Sequence, residues 1–229
     1  SDVCSSDLWY SDMWHLLMQP FKRGMDQVVE SGTIKKGLFS LAFMTLAPII
    51  PLLLFNALIF PLFPRTEFNG LVPLFVLGIL QPYQLLFLWV LHLYSLLQQA
   101  VMASIIYNVI VKKMGGIDDV CAVMKVHFYL YAYAAVYYTV GYIILASIFI
   151  LTYFFTDNHT VVIGILLLGS VILSLGLLWI SVELFSRQVK LSKKKTLIAF
   201  LLMMAGMILI GVLIAAFLIS LSPNKDLIL

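Results

Sequence analysis

The chain has 229 residues, of which 62% are hydrophobic and 11% are charged. Soluble domains contain roughly 45–50% apolar and about 25% charged residues, so a soluble fold of this size could not bury so much apolar surface. The formal charge of +3 is too small to indicate a nucleic-acid partner. The composition therefore predicts an all-α integral membrane bundle whose main partner is the lipid bilayer.

The first eight residues, SDVCSSDL, resemble the translation of a sequencing-library adapter. We therefore expect residues 1–8 to be an artefact carried into a prokaryotic metagenome assembly, and we exclude them from the fold prediction. Without Cys4 the remaining cysteine is Cys121, so no internal disulfide is expected.

Residues 9–36 precede the first long apolar run and are expected to lie in the cytoplasm. Within this segment the sequence predicts an amphipathic helix that begins near Pro20. Four apolar residues share one face of this helix: Phe21, Met25, Val28 and Val29. Charged residues occupy the opposite face, a pattern typical of a helix that lies in the membrane interface.

Five apolar stretches follow, each long enough to supply the ~20 helical residues that cross a bilayer. They span residues 37–63, 83–111, 128–155, 160–185 and 196–220. Pro48 and Pro51 are expected to kink the first crossing. These stretches predict one five-helix transmembrane domain at residues 37–220, with a short extracytoplasmic tail at residues 221–229.

Two shorter stretches are interpreted as interfacial. Residues 71–81 lack charge, but Pro73 and Gly78 interrupt them, which favours an interfacial or re-entrant lead-in to the second crossing. After the second crossing, apolar residues recur at helical spacing and predict a short amphipathic helix on the membrane surface. These residues are Ile117, Val120, Cys121 and Met124.

The distribution of Lys and Arg predicts the orientation of the chain. Loops that face the cytoplasm carry an excess of these residues. With five crossings, twelve fall on one side: Lys22, Arg23, Lys35, Lys36, Lys112, Lys113, Lys125, Arg187, Lys190, Lys193, Lys194 and Lys195. The other side receives two, Arg65 and Lys225. The asymmetry predicts a multi-pass protein of the cell membrane with a cytoplasmic N-terminus and an extracytoplasmic C-terminus.

Polar residues within a crossing are candidate functional residues. His92, Ser95 and Gln99 share one face of the second crossing and form a polar stripe. The functional interpretation is that this stripe lines a polar path or binds a lipid headgroup. Uncharged polar side chains also hold membrane helices together, and that structural interpretation is favoured.

Two further groups lie near the predicted cytoplasmic ends of the crossings. Glu183 precedes Arg187 by four residues, which is the spacing of an ion pair along a helix. An ion pair with Arg187 is therefore favoured over a role of Glu183 in proton transfer. Tyr129, Tyr131 and Tyr133 open the third crossing and fit the aromatic belt of a membrane interface.

Enzymatic motifs are absent from the sequence. It contains no His-Glu-x-x-His, no Gly-x-Ser-x-Gly and no phosphate-binding glycine loop. No His/Cys ligand cluster is present either. We therefore expect no catalytic residue, no metal and no cofactor.

Three segments together resemble the Yip family, small polytopic membrane proteins named for members that interact with Ypt/Rab-type GTPases. They are residues 19–25 (QPFKRGM), residues 113–119 (KMGGIDD), and residues 178–183 (LWISVE) followed by 191–199 (LSKKKTLIA). The resemblance implies five crossings and a cytoplasmic N-terminus over about residues 20–218. It also implies a membrane-organising or partner-binding role. The Asp-Leu-Tyr-Gly-type signature of eukaryotic members is absent from these 229 residues, so GTPase binding is not implied.

Two functions remain open from the sequence. The first is a non-enzymatic membrane organiser whose cytoplasmic cations bind anionic lipid headgroups or another membrane protein. Its candidate contacts are Lys112, Lys113, Arg187, Lys190, Lys193, Lys194 and Lys195. The second is a permease or transporter subunit that uses the stripe of His92, Ser95 and Gln99 as a polar path. The absence of an internal inverted repeat disfavours this second function.

Overall fold

The computed structural model describes residues 9–20, 23–49, 82–155 and 159–221. Within these ranges the chain forms seven α-helices and no β-strand. They are α1 (Trp9–Met18), α2 (Arg23–Glu30), α3 (Ile34–Met44), α4 (Pro82–Lys113), α5 (Val120–Phe155), α6 (His159–Val189) and α7 (Lys193–Leu221). The all-α prediction is therefore confirmed for the described part of the chain.

Four of the described helices are long and apolar enough to cross a membrane. The candidate spans are Leu86–Lys113 in α4, Val120–Ile148 in α5, Gly164–Val189 in α6 and Lys193–Phe217 in α7. They overlap the second to fifth predicted crossings, and the span in α5 begins eight residues before the predicted residue 128. Four such helices among the described residues are the pattern of a multi-pass membrane protein.

The first predicted crossing, residues 37–63, is described as far as residue 49. There α3 ends at Met44 and a turn follows. The Thr45 hydroxyl donates to the carbonyl oxygen of Leu41 at 2.8 Å, and Pro48 follows three residues later. Turn hydrogen bonds continue beyond α3, for example from the Ala47 amide to the Met44 carbonyl oxygen at 3.0 Å, and residue 49 is helical again. The kink at Pro48 stays a prediction, because the chain from residue 50 to residue 81 lies outside the described residues.

Several predicted segments fall outside the described residues. Pro51 and the rest of the first predicted crossing do so, as does the lead-in at residues 71–81. Residues 1–8 also lie outside, and the tail is described only at Leu221, the last residue of α7.

The bundle has two unlike halves. Buried side chains gather where α4 and α6 end and where α5 and α7 begin, for example Tyr107, Tyr129, Phe185 and Met203. We call this half, together with α1 to α3, the compact end. In the other half, the open end, large apolar side chains such as that of Ile208 remain 65% exposed. Apolar surface exposed on this scale is what acyl chains cover in a bilayer.

The long helices exceed the thickness of the hydrocarbon layer. At 1.5 Å per residue, α7 is about 44 Å long and α5 about 54 Å, against a hydrocarbon core of ~30 Å. Each of the four helices is therefore longer than the hydrocarbon core is thick, by about two or more turns. Because the open halves contain no Lys, Arg, Asp or Glu among the described residues, the surplus belongs at the compact end.

The N-terminal helices pack on α5. The Thr33 hydroxyl caps α3 by accepting the Lys36 amide at 3.2 Å, which sets the start of this helix. Gly37 of α3 lies so close to α5 that a Cβ there would be 3.1 Å from Phe128 Cβ. In α2, Gly24 is in close contact with the backbone of α1. The three short helices thus form one packed layer against the compact end.

The predicted amphipathic helix near Pro20 is present as α2, but its apolar face does not meet lipid. Met25 and Val28 are fully buried within the protein, and Val29 is partly buried. Phe21 lies outside the described residues. Helical spacing identifies an apolar face, but protein or lipid can cover it, and here the covering surface is the protein itself.

The second predicted amphipathic helix is wrong as a separate element. Val120 begins the long helix α5, capped by the Asp119 carboxylate, which accepts the Ala122 amide at 3.0 Å. No glycine or proline follows that would end the helix before the third crossing. Ile117 lies outside α5 and Cys121 is exposed. The surface helix is therefore the first part of a crossing helix.

Candidate functional site

All described charged residues lie on the N-terminal helices or at the ends of the long helices that meet at the compact end. The cations are Arg23, Lys35, Lys36, Lys112, Lys113, Lys125, Arg187, Lys190, Lys193, Lys194 and Lys195. The described acids are fewer: Asp12, Asp26, Glu30, Asp118, Asp119 and Glu183. Among the described residues, one end of the bundle is therefore charged, with a cationic excess, and the other end carries no charged side chain.

Two loops bring the predicted cations together. The Ile117 amide of the α4–α5 loop donates to the carbonyl oxygen of Val189 at 3.1 Å. The Lys195 Nζ donates to the carbonyl oxygen of Met114 at 3.3 Å. These contacts join the ends of α4 and α6 to the start of α7. We name the candidate set Lys112, Lys113, Arg187, Lys190, Lys193, Lys194 and Lys195 the basic face.

Glycine makes the loop contact possible. Gly115 has a φ of 82°, in the left-handed region that glycine adopts without strain. A Cβ on the next residue, Gly116, would be 2.5 Å from Val111 Cγ1 and 3.1 Å from the Val189 carbonyl oxygen. The Gly-Gly pair therefore ends α4 and allows the two loops to approach closely.

Several cations of the basic face are paired. Lys112 Nζ lies 2.6 Å from Asp118 Oδ2. Arg187 binds Glu183 at 3.0 Å, as its four-residue spacing predicts, and also pairs with Asp26 of α2. Lys193 pairs with Glu183 and lies over the Trp179 ring, 5.6 Å from its centroid. Pairing confirms the structural interpretation of Glu183 and ties α2, α6 and α7 together.

Three cations of the basic face remain available for an external anion. Lys113, Lys190 and Lys194 are exposed and form no ion pair with any residue that the structure describes. Exposed lysines are strongly hydrated point charges on flexible stems. They provide attraction for an anion without a fixed geometry.

The first turn of α7 places three lysines against the helix dipole. Lys193, Lys194 and Lys195 follow Ser192, whose hydroxyl lies 3.5 Å from the Lys195 amide. The amino end of a helix carries partial positive charge, and a cation there is unfavourable by about 0.3–1 kcal/mol. Glu183 offsets part of this cost through Lys193. An anion near the remaining lysines would offset the rest.

Asp118 fixes the α4–α5 loop, and this contact is expected to depend on pH. Hydrogen bonds from Lys112 and from Asn108, which donates at 2.7 Å, lower the pKa of the Asp118 carboxyl below its usual value of 3.8. A depressed pKa means that the contact stabilises the loop above pH 4 and is lost as the pH falls through the lowered pKa. We expect amide exchange at residues 114–117, corrected for intrinsic rates, to accelerate below that pKa. In Asp118→Asn this acid-induced increase in the exchange rate should be absent. An equal increase in both proteins would show that Asp118 does not hold the loop.

The polar stripe of the second crossing lies apart from the basic face. His92, Ser95 and Gln99 are all exposed on α4, and the Gln99 amide donates to Ser95 Oγ at 3.1 Å. Eighteen residues separate Ser95 from Lys113, which is about 27 Å along the helix axis. The stripe therefore remains a predicted site on the outer surface of α4, distinct from the charged end.

Sequence reasoning missed a buried acid, Asp12 of α1, which is 2% exposed. Its Oδ2 accepts the Tyr129 hydroxyl at 3.0 Å and lies 3.7 Å from Lys36 Nζ. Its Oδ1 accepts the Gln27 amide at 3.0 Å, with Ser31 Oγ at 3.5 Å. We call these five residues the Asp12 cluster. The only sequence signal was a lone acid within the apolar run of α1.

The Asp12 cluster changes the role assigned to Tyr129. This tyrosine was predicted to lie in an interfacial aromatic belt, but it is fully buried and its hydroxyl joins α5 to α1. Its neighbour Lys125 donates to the carbonyl oxygen of Val29 at 2.9 Å, which joins α5 to α2. The first turns of α5 thus hold the N-terminal helices in place.

A second buried polar group lies between the crossings. His127 Nδ1 is 2.9 Å from Ser104 Oγ and 3.1 Å from the Val123 carbonyl oxygen. Phe185 packs against the imidazole with ring centroids 4.6 Å apart. In the described part of the chain no group of three or more His, Cys, Asp or Glu is placed to hold a metal. The His127 side chain is 1% exposed and packs within the core.

Comparisons with known proteins give no relatives. No protein-family model matches the chain, and no curated protein or solved structure matches it.

Proposed function

We propose that this chain is a non-enzymatic, Yip-like multi-pass protein of the cell membrane that organises the bilayer by holding anionic lipid headgroups at its basic face. In this proposal the chain crosses the membrane five times, with its N-terminus in the cytoplasm and its C-terminus outside. The observation that carries it is the confinement of the described charges to one end of the bundle, with Lys113, Lys190 and Lys194 exposed and not paired with any acid that the structure describes.

The charge distribution supports this orientation. Short loops rich in Lys and Arg stay on the cytoplasmic side. The loops after α4 and after α6 are flanked by Lys and Arg residues, and the contacts between these loops place them on the same side of the bundle. The anionic lipids of the cytoplasmic leaflet face this side. Orientation and lipid attraction thus agree.

Simple electrostatics favours lipid as the ligand of the basic face. Each Lys or Arg near an anionic membrane surface contributes about 1 kcal/mol of attraction. Lys113, Lys190 and Lys194 lie at the ends of the long helices, so in this proposal headgroups of the adjoining leaflet are the external anions within their reach. The lysines need no induced fit, because the packed loops already hold their backbone positions.

The test compares the lipid neighbours of the wild-type protein with those of a triple variant. Protein is reconstituted into phosphatidylcholine vesicles that contain phosphatidylglycerol, and spin-labelled lipids report the fraction held at the protein surface. We expect spin-labelled phosphatidylglycerol to be preferred over phosphatidylcholine. The variant Lys113→Gln, Lys190→Asn, Lys194→Gln should lose this preference. Asparagine is chosen because Lys190 has a φ of 54°, which asparagine tolerates better than most residues.

A matched control removes a paired cation instead. Lys112→Gln combined with Asp118→Asn deletes an existing ion pair without changing the net charge, so the lipid preference should persist. Added salt should weaken the preference of the wild-type protein, because Lys113, Lys190 and Lys194 are exposed. An unchanged preference in the triple variant would refute the proposed role of the basic face.

A further inference from the structure

Helix α1 has one face buried in the protein and one face exposed. Met13 and Leu16 are fully buried and Asp12 is nearly so. Trp14 and Met18, four residues apart and therefore on the same side of the helix, are 57% and 59% exposed. Two large apolar side chains are thus presented together on the outer surface of the N-terminal layer.

The Asp12 cluster sets the depth of α1 along the bundle. Asp12 is bonded to Tyr129, four residues after Lys125 in α5. Four residues correspond to about 6 Å along a helix. The next residues of α5, up to Phe155, carry no charge. Tyr129 and α1 therefore lie where the charged part of α5 gives way to its uncharged part, which is the level of the headgroup boundary.

Helix α3, which α1 contacts, also presents exposed apolar side chains. They are those of Leu38, Phe39 and Phe43. Tryptophan concentrates at membrane interfaces, because its ring is apolar and its N–H is polar. The chemistry that fits such a surface, at such a depth, is the boundary between lipid headgroups and acyl chains.

We propose that α1 is an interfacial anchor that inserts Trp14 and Met18 into the leaflet next to the compact end. This inference goes beyond the proposed function, because it assigns a lipid contact to a helix outside the basic face. The anchor is rigidly attached to the bundle, since the Asp12 cluster and the close packing at Gly24 hold the buried side of α1.

The test measures membrane depth at residue 14 with a nitroxide. Trp14→Cys is labelled in a background in which Cys4 and Cys121 are serine, in the full chain reconstituted in phosphatidylcholine and phosphatidylglycerol vesicles. Accessibility to oxygen, which enters the bilayer, is compared with accessibility to a water-soluble nickel complex. Glu30→Cys, at an exposed charged position of α2, serves as the aqueous reference. Leu168→Cys, in the exposed apolar part of α6, serves as the hydrocarbon reference.

We expect the label at residue 14 to report a depth between the two references, with more oxygen and less nickel contact than at residue 30. Met18→Cys should give the same result and provides a second site if the first variant folds poorly. Accessibility equal to that at residue 30 would overturn the anchor. Low accessibility to both reagents would also overturn it, because a protein partner would then cover the face. Neither outcome depends on Lys113, Lys190 or Lys194, so this test is separate from that of the basic face.

Discussion

Replacing Asp12 with alanine is expected to loosen the packing of α1 and α2 on the bundle and to lower the free energy of unfolding by about 3 kcal/mol. Breaking a buried ion pair by removing one partner typically costs 3–5 kcal/mol, and the lower end applies because Lys36 keeps partial solvent access. The Tyr129 hydroxyl and the Gln27 amide also lose their acceptor. The loss should be local, since the cluster joins the N-terminal layer to α5.

Hydrogen exchange in reconstituted bilayers checks this expectation segment by segment. Peptides covering α1 and α2 should lose protection in Asp12→Ala, whereas peptides from the compact ends of α6 and α7 should keep theirs. Glu30→Ala removes an exposed carboxylate from the same layer and should change little. Tyr129→Phe, which deletes one partner of Asp12, should have a smaller effect of about 1 kcal/mol. Unchanged protection of α1 in Asp12→Ala would show that the cluster does not hold this helix.

Replacing Gly24 with alanine is expected to separate α1 from α2 and to cost about 2 kcal/mol, within the range for overpacked cores. A Cβ at this position would lie 2.3 Å from the His15 carbonyl oxygen and 2.6 Å from Leu16 Cα. Both are backbone atoms, so relief requires a helix to move and not merely a side chain to rotate. The gain in helix propensity from glycine to alanine, about 1 kcal/mol, does not cancel such a displacement.

The control for Gly24 is Gly211 in α7. A Cβ on Gly211 meets no atom within 4 Å, so Gly211→Ala should leave stability unchanged or slightly increased. Denaturation of the two variants in the same detergent gives the comparison, together with the exchange protection of α1. Equal stability of the two variants would contradict the close packing of α1 on α2.

The four long apolar helices that the structure describes were predictable because their signal is local. A run of uncharged residues of sufficient length predicts a spanning helix, and the second crossing, predicted at residues 83–111, appears as Pro82–Lys113. The end of α3 before Pro48 could not be located in the same way. Proline in an apolar run is compatible with a kink or with an end, and the decision depends on contacts that the sequence does not contain.

Faces were harder to predict than helices. Helical spacing correctly grouped Met25 with Val28, but it could not show that protein instead of lipid covers them. For the same reason, spacing placed His92 and Gln99 on one face of α4 without showing that this face points outward. Periodicity states which residues share a side, and only tertiary packing states what that side meets.

The residues of the candidate site were predicted from the sequence, but most contacts between them were not. The lysines of the basic face were recognised from the sequence, and the pair of Glu183 with Arg187 followed from helical spacing. The contact of Arg187 with Asp26 joins residues that are 161 positions apart, and no local pattern predicts it. Asp12 was missed for the same reason, because its partners lie on three other helices.

The division of the bundle into a compact end and an open end also determines how the protein meets membranes of different thickness. A mismatch between helix length and bilayer thickness is relieved by tilt or by local deformation of the lipid, at a modest cost per ångström. In their open halves α5 and α6 still pack together, since a Cβ on Gly169 would meet the side chain of Leu145 and one on Gly141 that of Leu173. The open half of α7 is exposed and can splay or tilt, whereas buried contacts lock the compact halves. Thinner or thicker bilayers should therefore alter the spread of the helices at one leaflet while the charged surface at the other keeps its shape.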